Sequence, residues 1–474
     1  MNLIILKKLI KTPSIALGLL IFTFCIIGSI YFYKERVIYI DSAYYVFNMI
    51  NNGIPNAEHN RYALFLYQLL PWAFLKLNFS IPLVLKTFSF SHILIHALAF
   101  SILVKIKQNK IALLMALMQI ICYRECFYLS VNETSLAISS SLLLSGLLRY
   151  TKESKNQFII GLLSFVCIII AIFSHPMASI LIPFILAYYA LSNSIINKPI
   201  IAICFGSFIV ILLIKFLTSS SSSYETDLYE QIKNSASIIS NIKEVYSFKY
   251  FAGGFNIKSN FIQLYIVPLI AFVFGLIYNL NKKKYLLTTF VLLSNIGLWL
   301  ITIILFNRGD GNMFMEKNFA PWILISIYPL IDVNLQLNKI KVLYFLILSY
   351  SINSLYGIYE ASKPYTTRYK IIENILVNES KQNQHKLIIQ DSLVNHDIWL
   401  GTWALPYETL LMSKVLKIPN SSIRIYKNEE QINKELQRTD LFLGADFIPP
   451  LPATYLLNQK YFKLSEEKYI VINP

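Results

Sequence analysis

KERVIYIDSAYYVFNMINNGIPNAEHNRYALFLYQLLPWAFLKL, residues Lys34 to Leu77, follows directly on the first long apolar run of the chain. Two short helices are legible in it. Asp41 or Ser42 is placed to cap the first, Ala43 to Asn52 forms it, and Gly53 with Pro55 ends it. The second runs from about Asn60 to Leu77, and Pro71 predicts a kink in it. Both are rich in Tyr, Phe, Leu and Trp but keep polar residues on one side. That pattern suits helices lying at a membrane interface. The same stretch gathers Asp41, Glu58, His59 and Arg61 in an otherwise apolar protein, which marks it as the candidate active-site loop.

Outward from this loop the chain is apolar almost throughout. Of 474 residues 55% are hydrophobic and only 14% charged, which excludes an ordinary soluble domain and points to a polytopic helical membrane protein. Apolar runs predict eleven spans, at about 12–33, 81–104, 111–123, 134–149, 158–174, 177–193, 200–217, 261–279, 285–306, 319–337 and 342–359. The formal charge of +16 does not call for a nucleic-acid partner, because much of it sits in short loops between spans. With the N-terminus in the cytoplasm, the inside loops 105–110, 150–157, 194–199, 280–284 and 338–341 are all basic. Most loop acids then fall outside, together with the loops 34–80 and 218–260 and everything after residue 360. A bacterial inner-membrane protein with an uncleaved first span is expected. The five cysteines lie in or beside apolar runs and read as packing thiols.

Residues 361–474 alternate strand and helix. Strands are predicted at 386–391, 421–426 and 440–445, helices at 367–380, 407–416 and 429–437, and a closing hairpin at 461–472. This is a small α/β unit with a partly parallel sheet. No Gly-rich phosphate loop follows any of its strands, so no nucleotide site is assigned.

Asp41 reads either as a helix cap or as a carboxylate that can take a proton from a hydroxyl or hold a divalent metal. Glu58-His59-Asn60-Arg61 reads as a solvated turn, or as a site where Arg61 meets a phosphate and Glu58 or His59 an acceptor hydroxyl. Arg124-Glu125 is a snorkelling pair or a second source of acid. His92 and His96 lie four apart on one helix face, which suits polar packing or cavity lining and, with a third ligand, zinc. His175-Pro176 reads as a turn at a helix end, with the imidazole a further cavity-lining candidate. Asn307 to Lys317 is a tight glycine-containing loop whose Arg308 and Lys317 are cations at an outer helix boundary.

One span, an acidic outer loop with two interfacial helices, short further spans and a late exported unit together resemble the GT-C class of integral-membrane glycosyltransferases. That class includes protein mannosyltransferases and aminoarabinose transferases. The resemblance covers the architecture of about residues 12–360 and implies a glycosyltransferase-like membrane domain over 1–360. It implies transfer of a sugar from a polyprenyl-phosphate donor to a lipid, glycan or protein acceptor outside the cytoplasm. It places the catalytic acid at Asp41, where several of those families carry an Asp-Glu pair and this chain has one acid. A second outer loop can add an acid to such sites, and Glu125 is the matching place. Donor phosphate would meet Arg308, Lys317 or Arg61, and a divalent metal (Mg²⁺ or Mn²⁺), if used, would sit on Asp41 and Glu125. Two other readings are an O-antigen polymerase or ligase and a lipid-linked glycan transporter or flippase. The 218–260 loop lacks the Arg and His of the former, and no internal repeat supports the latter.

Overall fold

The computed structural model describes residues 12–121, 123–151, 153–154, 156–192, 198–218, 233, 235–253, 260–307, 311–333, 341–426 and 437–473. Among these, five helices are long and apolar enough to cross a membrane: Pro13–Tyr31, Ile81–Lys105, Lys198–Thr218, Phe261–Asn281 and Tyr285–Leu305. Three shorter apolar helices, Asn109–Ile121, Gln157–Ile172 and Ala178–Leu191, accompany them. Their outward faces carry exposed Phe24, Ile27, Phe158, Leu162, Phe205, Leu213 and Leu293. Rings of apolar side chains on the outside of a helix bundle are stable against lipid and not against water.

Two helices run differently. Glu133–Tyr150 and Asn312–Ile327 are buried along almost their whole length although they carry serines, two glutamates and a lysine. They are enclosed by other helices, so their polar groups find protein partners. Asn295 Nδ2, for instance, donates to Ser326 Oγ at 2.6 Å, and Ser145 Oγ lies 2.7 Å from Tyr189 Oη. The helix Asn312–Ile327 begins inside the predicted loop 307–317, so Glu316 and Lys317 already belong to its second turn.

The first large loop folds as Ile40–Asn52, a 3-10 turn Tyr62–Leu64 and Phe65–Lys76. Gly53 ends the first helix in a left-handed conformation at φ +70°, as its sequence predicts. Pro71 lies inside the second helix, which continues past it. The cap at the start departs from expectation. Tyr39 occupies that position in an extended conformation, and Asp41 sits in the first helical turn. The apolar face of Ile40–Asn52 is covered by protein: Phe47 lies 4.8 Å from Tyr407 and 5.0 Å from Phe462, ring centre to ring centre. An amphipathic pattern does not tell a lipid surface from a protein one, which is why the interfacial reading fails for this helix.

The predicted eleventh span and the helix after it are one helix, Lys341–Lys381, of 41 residues and about 60 Å. It carries the chain into a three-stranded parallel sheet ordered Ser422–Tyr426, Lys386–Gln390, Ile470–Val471. The helix Leu405–Leu416 packs on this sheet, as predicted. Two expectations fail here. Residues 440–445 form only the short strand Leu441–Phe442, paired antiparallel to Leu451–Pro452 in a separate ribbon. The closing hairpin is absent, because Ile470–Val471 pairs with the central strand instead. The predicted helix 429–437 lies almost wholly outside the described residues.

The first loop and this C-terminal unit share one hydrophobic core. Val46, Phe47, Met49 and Ile50 pack in the same cluster as Leu387, Ile389, Tyr407 and Leu410. Asn51 seals the edge, donating to Leu456 O at 2.9 Å and accepting from the Asn458 N–H at 2.8 Å. Truncating Phe47 would open a cavity in that core. Phe47→Ala is expected to cost about 3–5 kcal/mol and to make the C-terminal unit protease-sensitive at a lower temperature. Unchanged protection would mean that loop and unit are not one core.

Candidate functional site

Three distant segments meet at one carboxylate. Glu133 opens the helix Glu133–Tyr150, which is capped by Asn132 Oδ1 accepting from the Ser135 N–H at 3.1 Å. Arg61 follows a turn in which His59 and Asn60 are both left-handed, at φ +53° and +56°. Arg61 Nη1 donates to Glu133 Oε1, and Lys317 Nζ pairs with Glu133 Oε2. All three side chains are almost completely buried. His175 stands beside them with Nδ1 accepting from the Met177 N–H at 3.2 Å. Burial, then the cations Arg61 and Lys317, push its imidazole far below the usual histidine range, so it is neutral.

Asp41 faces this group. The charges that act on it are Lys317, Glu133 and Arg61, in that order. Its partly buried carboxylate makes no hydrogen bond or ion pair among the described residues. Burial pushes the carboxyl above the ordinary aspartate range, and the two cations oppose that rise. A partnerless carboxylate next to two anchored cations can accept a proton while an anion is held alongside.

Asp41 follows a strained residue. Ile40 has φ +33°, a region that a β-branched side chain enters at a cost of about 1–3 kcal/mol. The surrounding contacts must supply that energy.

Glu125 is not among the charges at Asp41. It lies in a second cluster with Glu316, whose Oε2 accepts the N–H groups of Glu125 at 2.8 Å and Cys126 at 3.1 Å. Arg124 Nε stands 3.7 Å from Glu316 Oε1, and Asn312 Nδ2 donates to Glu125 Oε1 at 3.1 Å. Burial pushes the Glu125 carboxyl up, against the lowering by Asn312 and Arg124. Since Glu316 and Lys317 are consecutive, one helix presents a different side chain to each cluster. Asp41 and Glu125, the pair expected to hold a divalent metal, thus stand in different side-chain groups. Among the described residues no three His, Cys, Asp or Glu side chains gather as metal ligands.

His92 and His96 lie elsewhere. Arg36, fully buried and without a carboxylate partner among the described residues, donates from Nε to Ser89 Oγ at 2.8 Å and from Nη1 to Phe127 O, and its Nη2 lies 3.2 Å from His92 Nδ1. His96 lies 2.8 Å from Ser139 Oγ through Nδ1 and 3.2 Å from Tyr67 Oη through Nε2. Both imidazoles pack the first loop against the bundle, His92 through Arg36 and His96 through Tyr67. Glu58 accepts from Asn56 Nδ2 at 2.9 Å and forms the turn with the exposed His59, and only Arg61 of that tetrad points inward. Arg308 lies outside the described residues.

Sequence reading missed Glu133 and Glu316 as site residues. An acid at a helix start is the usual companion of a cap, and the sole hint was Glu133 directly before a span free of acid.

Removing Glu133 would leave two buried cations facing each other. Glu133→Ala is expected to destabilise the protein by about 3–5 kcal/mol, more than Arg61→Met or Lys317→Met, each of which leaves a matched pair. Thermal unfolding in detergent measures the order, and equal losses for the three would mean that the ions do not act as a unit. The chain matches no protein-family model and no curated protein.

Proposed function

We propose that the protein is an integral-membrane glycosyltransferase that moves a sugar from a polyprenyl-phosphate donor to a lipid, glycan or protein acceptor at the non-cytoplasmic face. The observation that carries this reading is the Asp41 carboxylate, without a hydrogen bond or ion pair among the described residues, beside the Arg61–Glu133–Lys317 ion group. Its apolar runs would make eleven spans in a bacterial inner membrane, and the loop charges favour the N-terminus inside and the C-terminal unit outside.

Asp41 takes the proton of the acceptor hydroxyl as its oxygen bonds to the anomeric carbon. The bond from that carbon to the phosphate oxygen breaks, and its electron pair leaves with the polyprenyl phosphate. Negative charge thereby moves from Asp41 to the leaving phosphate, and the total in the site stays the same. Lys317 and Arg61, held by Glu133, stand where that charge arrives, and fixed donors at such a place are the largest single source of rate enhancement in many enzymes. Arg308 is a further candidate for the phosphate from the sequence.

Asp41→Asn tests the reading, since Asn has the same shape and cannot take the proton. In lipid nanodiscs, with a radiolabelled polyprenyl-phosphate hexose, turnover should fall by about 10²–10⁴ while unfolding temperature is retained. The wild-type rate should drop on the acid side at a pH above the ordinary aspartate value of about 3.9, because the active form is the ionised one and burial raises its pKa. Near-normal turnover in Asp41→Asn sinks the proposal.

A further inference from the structure

The reaction above makes no use of the contact between the C-terminal unit and the residue before Asp41. The N–H of the left-handed Ile40 donates to Glu408 Oε1 at 2.8 Å. Glu408 Oε2 is held by Arg368 Nη2 at 2.7 Å. Arg368 is itself fixed, donating from Nε to Trp399 O at 2.6 Å and from Nη2 to Gly401 O at 3.0 Å. Its guanidinium lies 5.0 Å over the ring of Tyr39. Gly401 closes directly on Ile40, for a Cβ there would stand 2.8 Å from Ile40 Cγ2. Ile40, Arg368 and Glu408 are all buried.

A buried ion pair is a costly means of satisfying one amide, which a single hydroxyl or amide side chain would also do. What the pair adds is rigidity: both carboxylate oxygens are fixed, and the acceptor for Ile40 cannot turn away. Were Ile40 to relax to an ordinary negative φ, the chain entering Asp41 would change direction and its carboxylate would shift relative to Lys317 and Arg61. We propose that Glu408, locked by Arg368, is a positioning residue that holds Ile40 left-handed and thereby aims the Asp41 carboxylate. The C-terminal unit then completes the site from outside the membrane domain. For its effect on turnover this inference rests on the glycosyl-transfer reading; for the geometry of Asp41 it does not.

The charged and titratable groups around Asp41 are Lys317, Glu133, Arg61 and Tyr45, and those around Glu408 are Arg368 and Tyr39. The test uses full-length protein in nanodiscs and two variants, Glu408→Ala and Glu408→Gln. Labelling of Asp41 by a carbodiimide, which reacts with protonated carboxyls, is followed across pH by mass spectrometry and needs no substrate. In Glu408→Ala the midpoint of that profile should move by about one pH unit as the carboxylate leaves its place. Amide exchange over residues 38–44 should rise about tenfold. Turnover should fall on the order of tenfold or more with donor KM retained. Glu408→Gln, which keeps an oxygen for the Ile40 N–H, should recover much of the exchange protection and labelling profile. A folded Glu408→Ala with wild-type labelling and exchange overturns the proposal, as does altered exchange with unaltered labelling and turnover. Should Glu408→Ala not fold, Glu408→Gln and Gly401→Ala, which crowds Ile40 from the other side, are judged on the same readouts. If wild-type protein transfers no sugar, the glycosyl-transfer reading fails, and labelling with exchange still decides the positioning role.

Discussion

Glu133 is the tie on which the arrangement depends. Its two oxygens bind a loop arginine and a helix lysine that are 72 and 184 residues away along the chain (133 − 61 and 317 − 133). Taking three ions out of water costs several kcal/mol each, and mutual attraction in the dry interior offsets it only when every partner is present. The group is therefore cooperative. It fixes the first loop to the helix Asn312–Ile327, and so fixes where Asp41 stands relative to both cations. It also leaves a net positive charge beside the Asp41 carboxylate, which favours an anion there and opposes the upward push of burial on that carboxyl.

The C-terminal unit enters the same arrangement from the other side. The helix Ile40–Asn52 has Glu133 and its cations near its first turn and Tyr407, Phe462 and Asn458 along its length. Two cores thus meet in one short helix, and strain at its first residue is tolerated because Glu408 and Gly401 over-determine the backbone there.

Much of this was legible in the sequence, and the gaps have physical causes. Hydropathy detects helices that face lipid, so Pro13–Tyr31 and Tyr285–Leu305 were plain. It misjudged Asn312–Ile327, whose polar residues are covered by neighbouring helices. Asp41 stood out in the first loop by its place, and the structure sets it near Lys317, Glu133 and Arg61. Its exclusion from the cap was not legible, because the acceptor for the Ile40 N–H comes from Glu408, 368 residues on. The four-residue spacing of His92 and His96 correctly put them on one face. Arg36 decides their role, and nothing in the spacing points to Arg36. In the C-terminal unit the two long strands and the helix between them followed from alternation. The pairing of Ile470–Val471 with the central strand is a long-range choice that local pattern does not contain.

The most direct measurement is a cryo-electron microscopy structure of the full chain in nanodiscs with a non-hydrolysable polyprenyl-phosphonate sugar. The account predicts the phosphonate within hydrogen-bond reach of Lys317 or Arg61 and the anomeric carbon beside the Asp41 carboxylate. A headgroup bound away from Asp41, for instance in the cleft lined by Ser237, Asn241, Tyr246 and Asn307, would contradict it.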